Sequence, residues 1–303
     1  MTKEELNEIK KSFIVFQLDG KCYKISGENI QLDVDYIEKL SIKNNLHIEI
    51  AIRRAYEDSQ QRLMKGHNNI AGKLWDKDNG PLAYLREEIH SYFMNFKNNK
   101  MGFDECHKML CSDDGERGFL YRYNKLVSGI CGKQAPGKAQ KIINMTLKYI
   151  SCYQDVEDEW FKDCHMVLDH YTLDNWFCSK IKRKGKPSKE SIGSWSKLEY
   201  GDELNIGSYM WIQSEIRKWF KEKNEMNGYY YLESEKRMMT PFEAEFLIWE
   251  EEKIIEALKG IKNYEFLSHT VIYSHNAIGD DVEKAINNLY EIKRRYVSKD
   301  NIL

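Results

Sequence analysis

Two lysines and an amide share one strip of a predicted helix that is otherwise apolar. Lys141, Asn144 and Lys148 recur three and four residues apart in QKIINMTLKYISCY, so they project from the same side. A lysine is a nucleophile only when its amine is neutral, which requires burial, a nearby cation or a helix N-terminus to lower its pKa from about 10.4. Lys141, in the first turn and close to Lys138, can meet all three conditions. Lys138 and Lys148 compete for this role, although solvated charges or phosphate contacts are their simpler interpretation.

A carboxylate follows in an apolar segment, HMVLDHYTLDNW, where Asp169 lies between His165 and His170. Such surroundings can raise the pKa of a carboxylate or hold it against a cation. Beside an amine, a carboxylate can stabilise positive charge in a transition state and accept the proton of the attacking nitrogen. Asp169 can also be the N-cap of a helix over 171–177, which is compatible with catalysis. The histidines are interpreted as structural, and His165 remains an alternative catalytic group.

Helices are expected to position these residues. Apolar residues recur at helical spacing, and Gly- or Pro-containing turns separate the segments. The predicted helices cover about 37–56, 81–96, 119–130, 139–153, 210–220, 241–259 and 280–296. A β-hairpin is predicted over Phe13–Ile25, turned at Asp19-Gly20, with further strands at most over 229–232 and 270–273. The predicted fold class is therefore mainly α with a small N-terminal β-hairpin.

The composition excludes several classes of protein. The 303 residues suffice for one large or two small domains. The longest charge-free run, 266–279, is shorter than the roughly 20 apolar residues that span a bilayer, and the N-terminus lacks a secretory signal, so a cytoplasmic protein is expected. Seven cysteines without a CxxC pair argue against a disulfide framework or a metal cluster. A net charge of −2 excludes nucleic-acid binding by bulk positive charge, but not by a local basic patch.

The order of these features over 134–176 resembles the core of the helix-hairpin-helix DNA glycosylase superfamily. It is similar in particular to the archaeal type of 8-oxoguanine DNA glycosylase and to uncharacterised bacterial relatives. The matching residues are a turn at 135–138, a lysine soon after it, Lys141, and an apolar segment that ends in Asp169. The turn has the single Gly137 where the family has Gly-x-Gly.

The resemblance implies a two-lobed helical glycosylase-like fold over 31–303, with the hairpin core at about 119–178 and residues 1–30 as a β-hairpin extension. It implies that Lys141 forms a Schiff base with the deoxyribose of double-stranded DNA and that Asp169 assists. The activity expected is excision of an oxidised or modified base, with or without strand-nicking lyase activity, in repair or in defence against modified phage DNA. No cofactor, metal or membrane is expected.

Contacts with DNA and with an extruded base complete the prediction. Phosphate contacts are predicted for Gly137, Lys138 and Gln140 at the helix N-terminus. The basic loop KIKRKGKPSK adds four more, Lys182, Arg183, Lys184 and Lys186. The candidates for stacking on a flipped base, each of which is also a common core residue, are Trp160, Phe161, Trp176 and Phe177. Two alternatives remain open: a non-catalytic helix-hairpin-helix nucleic-acid-binding protein, and a helical module whose lysine strip docks an acidic protein.

Overall fold

The computed structural model describes residues 1–17, 23–26, 29–32, 40–59, 70–96, 101–114, 118–153, 155–181, 192–222 and 230–260. The chain divides into two compact units. One comprises Met1–Lys39 and Phe220–Leu303, and the other comprises Leu40–Trp219. The predicted hairpin core at about 119–178 lies within the second unit. The predicted boundary at residue 30 differs from this division, in which the first 39 residues group with the C-terminal part of the chain.

The protein is mainly helical, as predicted. Its α-helices are α1 (Lys3–Gln17), α2 (Asn45–Ser59), α3 (Ala71–Leu74), α4 (Pro81–Met94), α5 (Phe103–Cys111), α6 (Phe119–Cys131), α7 (Pro136–Ile150), α8 (Cys178–Lys180), α9 (Tyr209–Glu222) and α10 (Pro241–Gly260). Short 3₁₀ helices cover Asp158–Phe161 and Trp195–Lys197, and a π-helix covers His170–Phe177. None of the described helices is long and apolar enough to cross a bilayer.

The N-terminal segment corrects the predicted hairpin over Phe13–Ile25. Residues up to Gln17 belong to α1. The β-prone run is helical because Leu6, Ile9 and Phe13 fall on one buried face at three- and four-residue spacing. Phe13 packs edge-to-face on Phe246 of α10, with ring centroids 5.2 Å apart. The amphipathic period over the whole of α1 therefore outweighs the local β propensity of its last turn.

A β-hairpin does form, but farther along the chain. Strands β1 (Tyr23–Ser26) and β2 (Asn29–Leu32) pair antiparallel, with Ser26 opposite Asn29. A second antiparallel pair joins β3 (Tyr231–Leu232) and β4 (Arg237–Met238). The predicted turn at 19–20, the strand at 270–273 and the helix at 280–296 lie outside the described residues.

Helix α7 is at the centre of the second unit. It packs along α2 and also contacts α5, α6 and the 3₁₀ helix Trp195–Lys197. The sequence places Lys141, Asn144 and Lys148 on one polar strip of α7, and in the structure Asn144 and Lys148 are fully buried. Only Lys141 at the start of the strip retains access to solvent, with 12% of its side chain exposed. Most of the strip therefore faces the protein interior. Of its three residues, Lys141 alone lies near the surface.

The turn between α6 and α7 is fixed by side-chain hydrogen bonds. Asn124 of α6 accepts from the Gln134 N–H at 2.8 Å and donates to the Gln134 carbonyl at 3.0 Å. Gly132 ends α6 with a φ of 78°, a conformation that favours glycine. Pro136 then begins α7, because its fixed φ suits a first helical residue and its missing N–H needs no partner there. This turn sets where the lysines in the first two turns of α7 lie.

Candidate functional site

The structure brings together the two residues that the sequence singled out as catalytic. Lys141 Nζ lies 3.3 Å from Asp169 Oδ2. The exposed fraction of the Asp169 side chain is 5%, so this ion pair is largely removed from water. An ion pair in a low-dielectric setting is stronger and more sensitive to geometry than one on the surface. The pair has the composition of a lysine nucleophile with an assisting carboxylate.

The two oxygens of Asp169 have different partners. Oδ1 accepts hydrogen bonds from the N–H groups of Tyr171, at 2.9 Å, and Thr172, at 3.2 Å, while the Thr172 hydroxyl accepts from the Asp169 N–H. Asp169 is therefore the N-cap of the π-helix, in a capping box. Oδ2 faces Lys141. The predicted capping role is confirmed, and it leaves one oxygen available to the amine.

A buried amide connects the two chain segments that carry this pair. Gln140 is fully buried, and its Nε2 donates to the Leu168 carbonyl at 2.7 Å. Its Oε1 accepts from the Leu168 N–H at 3.3 Å. Gln140 and Leu168 immediately precede Lys141 and Asp169 in sequence, so this connection sets the register between the two segments. Gln140, predicted as a phosphate contact, is an internal residue.

Lys138 lies one turn before Lys141 and is held by a different acceptor. Its Nζ donates to the Ser59 carbonyl at the end of α2 at 2.6 Å. Burial, together with the positive charge of Lys141, lowers the pKa of Lys138 to about 8. Lys138 therefore has an amine that loses its proton more readily than an ordinary lysine does, and it lies one helical turn from Lys141.

Trp195 is part of this site, although it was not predicted from the sequence. The centroid of its ring lies 4.7 Å from Lys141 Nζ and 5.1 Å from Lys138 Nζ, within the range of cation–π attraction. Trp195 approaches so closely because Gly137 has no side chain: a Cβ atom there would lie 2.0 Å from the Trp195 carbonyl oxygen. The signal in the sequence was the glycine directly after Pro136, which marks a close approach of another backbone to the start of a helix.

The Gly137 amide, predicted to bind phosphate, donates to the Leu198 carbonyl at 3.0 Å. The basic loop residues Lys182, Arg183, Lys184 and Lys186 lie outside the described residues. Of the predicted DNA contacts, Lys138 is the one whose described side chain lies over the same Trp195 ring as Lys141.

The aromatic candidates for base stacking lie among other aromatic side chains. Trp160 and Phe161 both pack on Phe93, with centroids 5.8 and 5.2 Å apart. Trp176 is 1% exposed and lies edge-on to Trp219 at 5.3 Å. Phe177 is buried and packs against Trp211. In the structure, the aromatic ring over the two lysines is that of Trp195.

His165, an alternative catalytic candidate, belongs to a buried polar network. Its Nε2 is 2.6 Å from Asp104 Oδ1, and its Nδ1 is 2.8 Å from the Tyr209 hydroxyl. Burial lowers the pKa of His165, and the hydrogen bond with Asp104 opposes this shift. Burial also raises the pKa of Asp104, but the hydrogen bonds from Arg217 and His165 outweigh this and hold it well below its usual range. Lys148, the other alternative, is fully buried.

No group of three or more potential metal ligands occurs among the described residues. Comparison of the chain with protein-family models, curated proteins and solved structures gives no match. The described residues of the site are an amine and a carboxylate in an ion pair, a second amine with a lowered pKa, and an indole over both amines.

Proposed function

We propose that this protein is a DNA glycosylase of the helix-hairpin-helix type, in which Lys141 attacks the sugar of an extruded nucleotide and Asp169 assists. The observation that carries the proposal is the distance of 3.3 Å between Lys141 Nζ and Asp169 Oδ2, in a setting where both side chains are almost buried. The sequence resemblance gives the same two residues the roles of nucleophile and assisting acid. Lys138, whose pKa is lowered, lies over the same Trp195 ring as Lys141 and supplies a second amine beside the pair.

The reaction starts with a proton transfer inside the pair. Asp169 Oδ2 accepts a proton from the Lys141 ammonium group, which leaves a neutral amine. The amine nitrogen then forms a bond to C1′ of the deoxyribose while the bond from C1′ to the base breaks, and the electron pair of that bond leaves with the base. The departing base takes up a proton, for which the protonated Asp169 is the nearest donor. Once its proton has left with the base, the Asp169 carboxylate stabilises the positive charge on the sugar. It then takes a proton from the new secondary ammonium, and the nitrogen lone pair forms the C1′=N bond of the Schiff base while the C1′–O4′ bond breaks and O4′ takes up that proton.

The capping role of Asp169 suits this chemistry. Because Oδ1 is held by two backbone N–H groups, the carboxylate cannot rotate freely, and Oδ2 stays directed at the amine. Preorganisation of this kind lowers the cost of reaching the transition state, since no dipole has to reorient when charge develops. The hydrogen bonds between Gln140 and Leu168 likewise fix the backbone positions of the two segments that carry Lys141 and Asp169.

Borohydride trapping tests the proposal directly. The protein is incubated with duplexes that carry 8-oxoguanine, a set of other oxidised or modified bases, or a preformed abasic site, and sodium borohydride is added to reduce any Schiff base to a covalent amine. Wild-type protein should be trapped on at least the abasic duplex and one modified-base duplex. Lys141→Gln should give no trapped species, whereas Lys43→Gln, which changes an exposed lysine of the same unit, should be trapped like wild type.

Two outcomes would contradict the proposal. If wild-type protein binds the duplexes but is trapped on none of them, the protein is a non-catalytic nucleic-acid binder. If Lys141→Gln is trapped as well as wild type, a different amine is the nucleophile. Mass spectrometry of the trapped peptide identifies that residue, and Lys138 is the first to examine because of its lowered pKa.

A further inference from the structure

An open groove of about 830 Å³ lies in the second unit, formed by α3 and the turn after it on one side and by α6 on the other. The charged and polar side chains that line it are Lys73, Asp76, Asn79, Tyr121, Arg122 and Lys125. None of these residues belongs to the Lys141–Asp169 site, and none was predicted to contact DNA, although Tyr121, Arg122 and Lys125 lie on α6 of the predicted hairpin core. The groove is therefore a separate feature of the molecule.

Arg122 differs from the other arginines in the described part of the chain. Arg53, Arg54, Arg86, Arg217 and Arg237 each form an ion pair with a carboxylate. Arg122 has no such partner among the described residues. Instead its guanidinium lies over the ring of Tyr84, 4.2 Å from the centroid, and its buried Nε has no hydrogen-bond partner there. The side chain is thus held in place by stacking, while the acceptors that a guanidinium normally has are missing.

The two lysines of the groove are exposed, and neither has a carboxylate partner in the described part of the chain. The one acid in the groove, Asp76, is already engaged, because its Oδ1 accepts from the N–H groups of Asp78, at 3.2 Å, and Asn79, at 2.9 Å. Lys73, Arg122 and Lys125 therefore give the groove a positive charge that local carboxylates do not neutralise. Such a surface favours an anionic ligand.

A second open groove in the same unit has the opposite charge. It has a volume of about 690 Å³ and adjoins the turn before α7. Its charged residues are Lys108 and Lys133 against Asp113, Asp114, Glu199 and Asp202. Lys133 is paired with Asp113 at 2.5 Å, so the remaining charge is acidic. A polyanion would be repelled from this groove, which leaves the Arg122 groove as the basic one of the two.

We infer that the Arg122 groove binds the phosphate backbone of nucleic acid. The choice of duplex DNA as the ligand rests on the proposed function, but the polyanion class rests on the groove itself. A guanidinium fork can bind a phosphate through two parallel hydrogen bonds, and the lysines act as point charges on the adjacent phosphates. The Tyr121 hydroxyl and the Asn79 amide can donate to phosphate or sugar oxygens, as side chains of these types commonly do.

The test compares two triple variants that remove the same charge. The groove variant carries Lys73→Gln, Arg122→Gln and Lys125→Gln, and the control carries Lys43→Gln, Lys108→Gln and Lys162→Gln, which are exposed lysines elsewhere in the unit. Both are made in the Lys141→Gln background so that binding is measured without chemistry. Fluorescence anisotropy with a labelled 25-base-pair duplex gives Kd over a range of salt concentrations, and circular dichroism confirms that each variant is folded.

The groove variant should bind duplex DNA on the order of tenfold or more weakly at about 0.1 M salt, and the slope of log K against log salt should fall by up to about 0.9 for each lost phosphate contact. The control variant should keep the affinity and slope of the parent. Equal affinities and slopes for the two variants would overturn the inference. So would a groove variant that loses affinity for vesicles of anionic phospholipid but keeps its affinity for DNA, because the ligand would then be a membrane surface.

The outcome for the groove is separable from the outcome for the proposed function. If the groove variant loses DNA affinity but wild-type protein is never trapped by borohydride, the groove binds nucleic acid in a protein without the proposed chemistry. If wild-type protein is trapped and the two triple variants bind alike, the chemistry stands and the groove does not contact DNA. If the parent protein binds no duplex at any salt concentration, both proposals are wrong.

Discussion

The side-chain amide of Gln140 pairs with both backbone groups of Leu168, donating to the carbonyl at 2.7 Å and accepting from the N–H at 3.3 Å. Leu168 belongs to an irregular segment, whose buried backbone groups have no strand or helix to satisfy them. Gln140 takes the place of a neighbouring strand. Because the next residue on each side is a member of the Lys141–Asp169 pair, the distance between amine and carboxylate depends on this amide.

Replacing Gln140 with leucine should lower the free energy of unfolding. The variant leaves the Leu168 N–H and carbonyl buried without a partner, which should cost on the order of 2 kcal/mol or more in the free energy of unfolding. Thr146→Val is the matched control in the same helix, since the Thr146 hydroxyl donates to the Ile142 carbonyl, four residues earlier in the helix. This control should cost about 1 kcal/mol or less. Urea denaturation measures the free energy of unfolding of both variants. Equal losses would show that the hydrogen bonds of Gln140 to Leu168 contribute no more than the single hydrogen bond of Thr146.

Asp169→Asn should separate the two roles of this residue. Asparagine can still cap the π-helix through its Oδ1, so the free energy of unfolding should change little, whereas Asp169→Ala should lose roughly 1 kcal/mol. Both variants remove the negative charge opposite Lys141, and both should reduce the rate of base excision by about 10² or more. Single-turnover kinetics and thermal denaturation give the two readouts. Full activity in Asp169→Asn would show that Asp169 is a cap and not a catalytic residue.

Gly137→Ala should disrupt the approach of Trp195 to the lysines. The added Cβ would lie 2.0 Å from a backbone carbonyl oxygen, so the segment with Trp195 and Leu198 has to move. Overpacking of this kind costs about 1–3 kcal/mol. Gly129→Ala in α6 is the control, because nothing lies within 4 Å of its added Cβ, and alanine in a helix should gain about 0.5–1 kcal/mol over glycine. A neutral effect of Gly137→Ala in urea denaturation would contradict the close packing.

The family resemblance and the local sequence both singled out Lys141 and Asp169, and the structure places their side chains 3.3 Å apart. Lys141 lies in the first turns of a helix whose apolar residues cover most of its surface, and Asp169 stands in an apolar run at a capping position. The helices were predicted from their apolar period, and α4, α6, α7, α9 and α10 lie close to the predicted ranges. An apolar period of this kind predicts a helix wherever a segment buries one face against the rest of the protein.

Other parts of the structure depend on long-range contacts that no local pattern contains. Asn144 is buried against the Tyr209 hydroxyl, to which it donates a hydrogen bond and which is 65 residues away in sequence. Trp195 is placed by its fit to Gly137, and the aromatic residues near 160 and 176 are drawn into the core by other aromatic rings. The hairpin predicted at 13–25 was wrong because the strand propensity of a short run is weaker than the amphipathic period of α1 around it.

The Lys138 amine should titrate near pH 8, and this should be visible in both NMR and stability. Its pKa is lowered from 10.5 to about 8 by burial and by the charge of Lys141. Between these two pH values the unfolded chain holds more protons on Lys138 than the folded protein does, so the free energy of unfolding contributed by this residue rises as the pH rises. Below about pH 8 the charged amine is destabilising in the fold.

Lys138→Met removes this dependence. The stability of the variant relative to wild type should therefore be highest near neutral pH and should fall as the pH rises from about 8 toward 10.5. Urea denaturation at a series of pH values measures the difference. Because the variant also loses the hydrogen bond to the Ser59 carbonyl, the change with pH is the informative quantity and the offset at any one pH is not.

Lys141→Met is the companion variant, since it removes the neighbouring positive charge while leaving Lys138 and its hydrogen bond in place. The pKa of Lys138 should then rise toward that of an ordinary lysine, because one of the two causes of its lowering is gone. Reductive ¹³C-methylation of the lysines allows this titration to be followed by NMR, with Lys138→Met used to assign the resonance. A Lys138 resonance that titrates at the same pH in wild type and in Lys141→Met would mean that the two amines do not interact, and that Trp195 does not hold them over one ring.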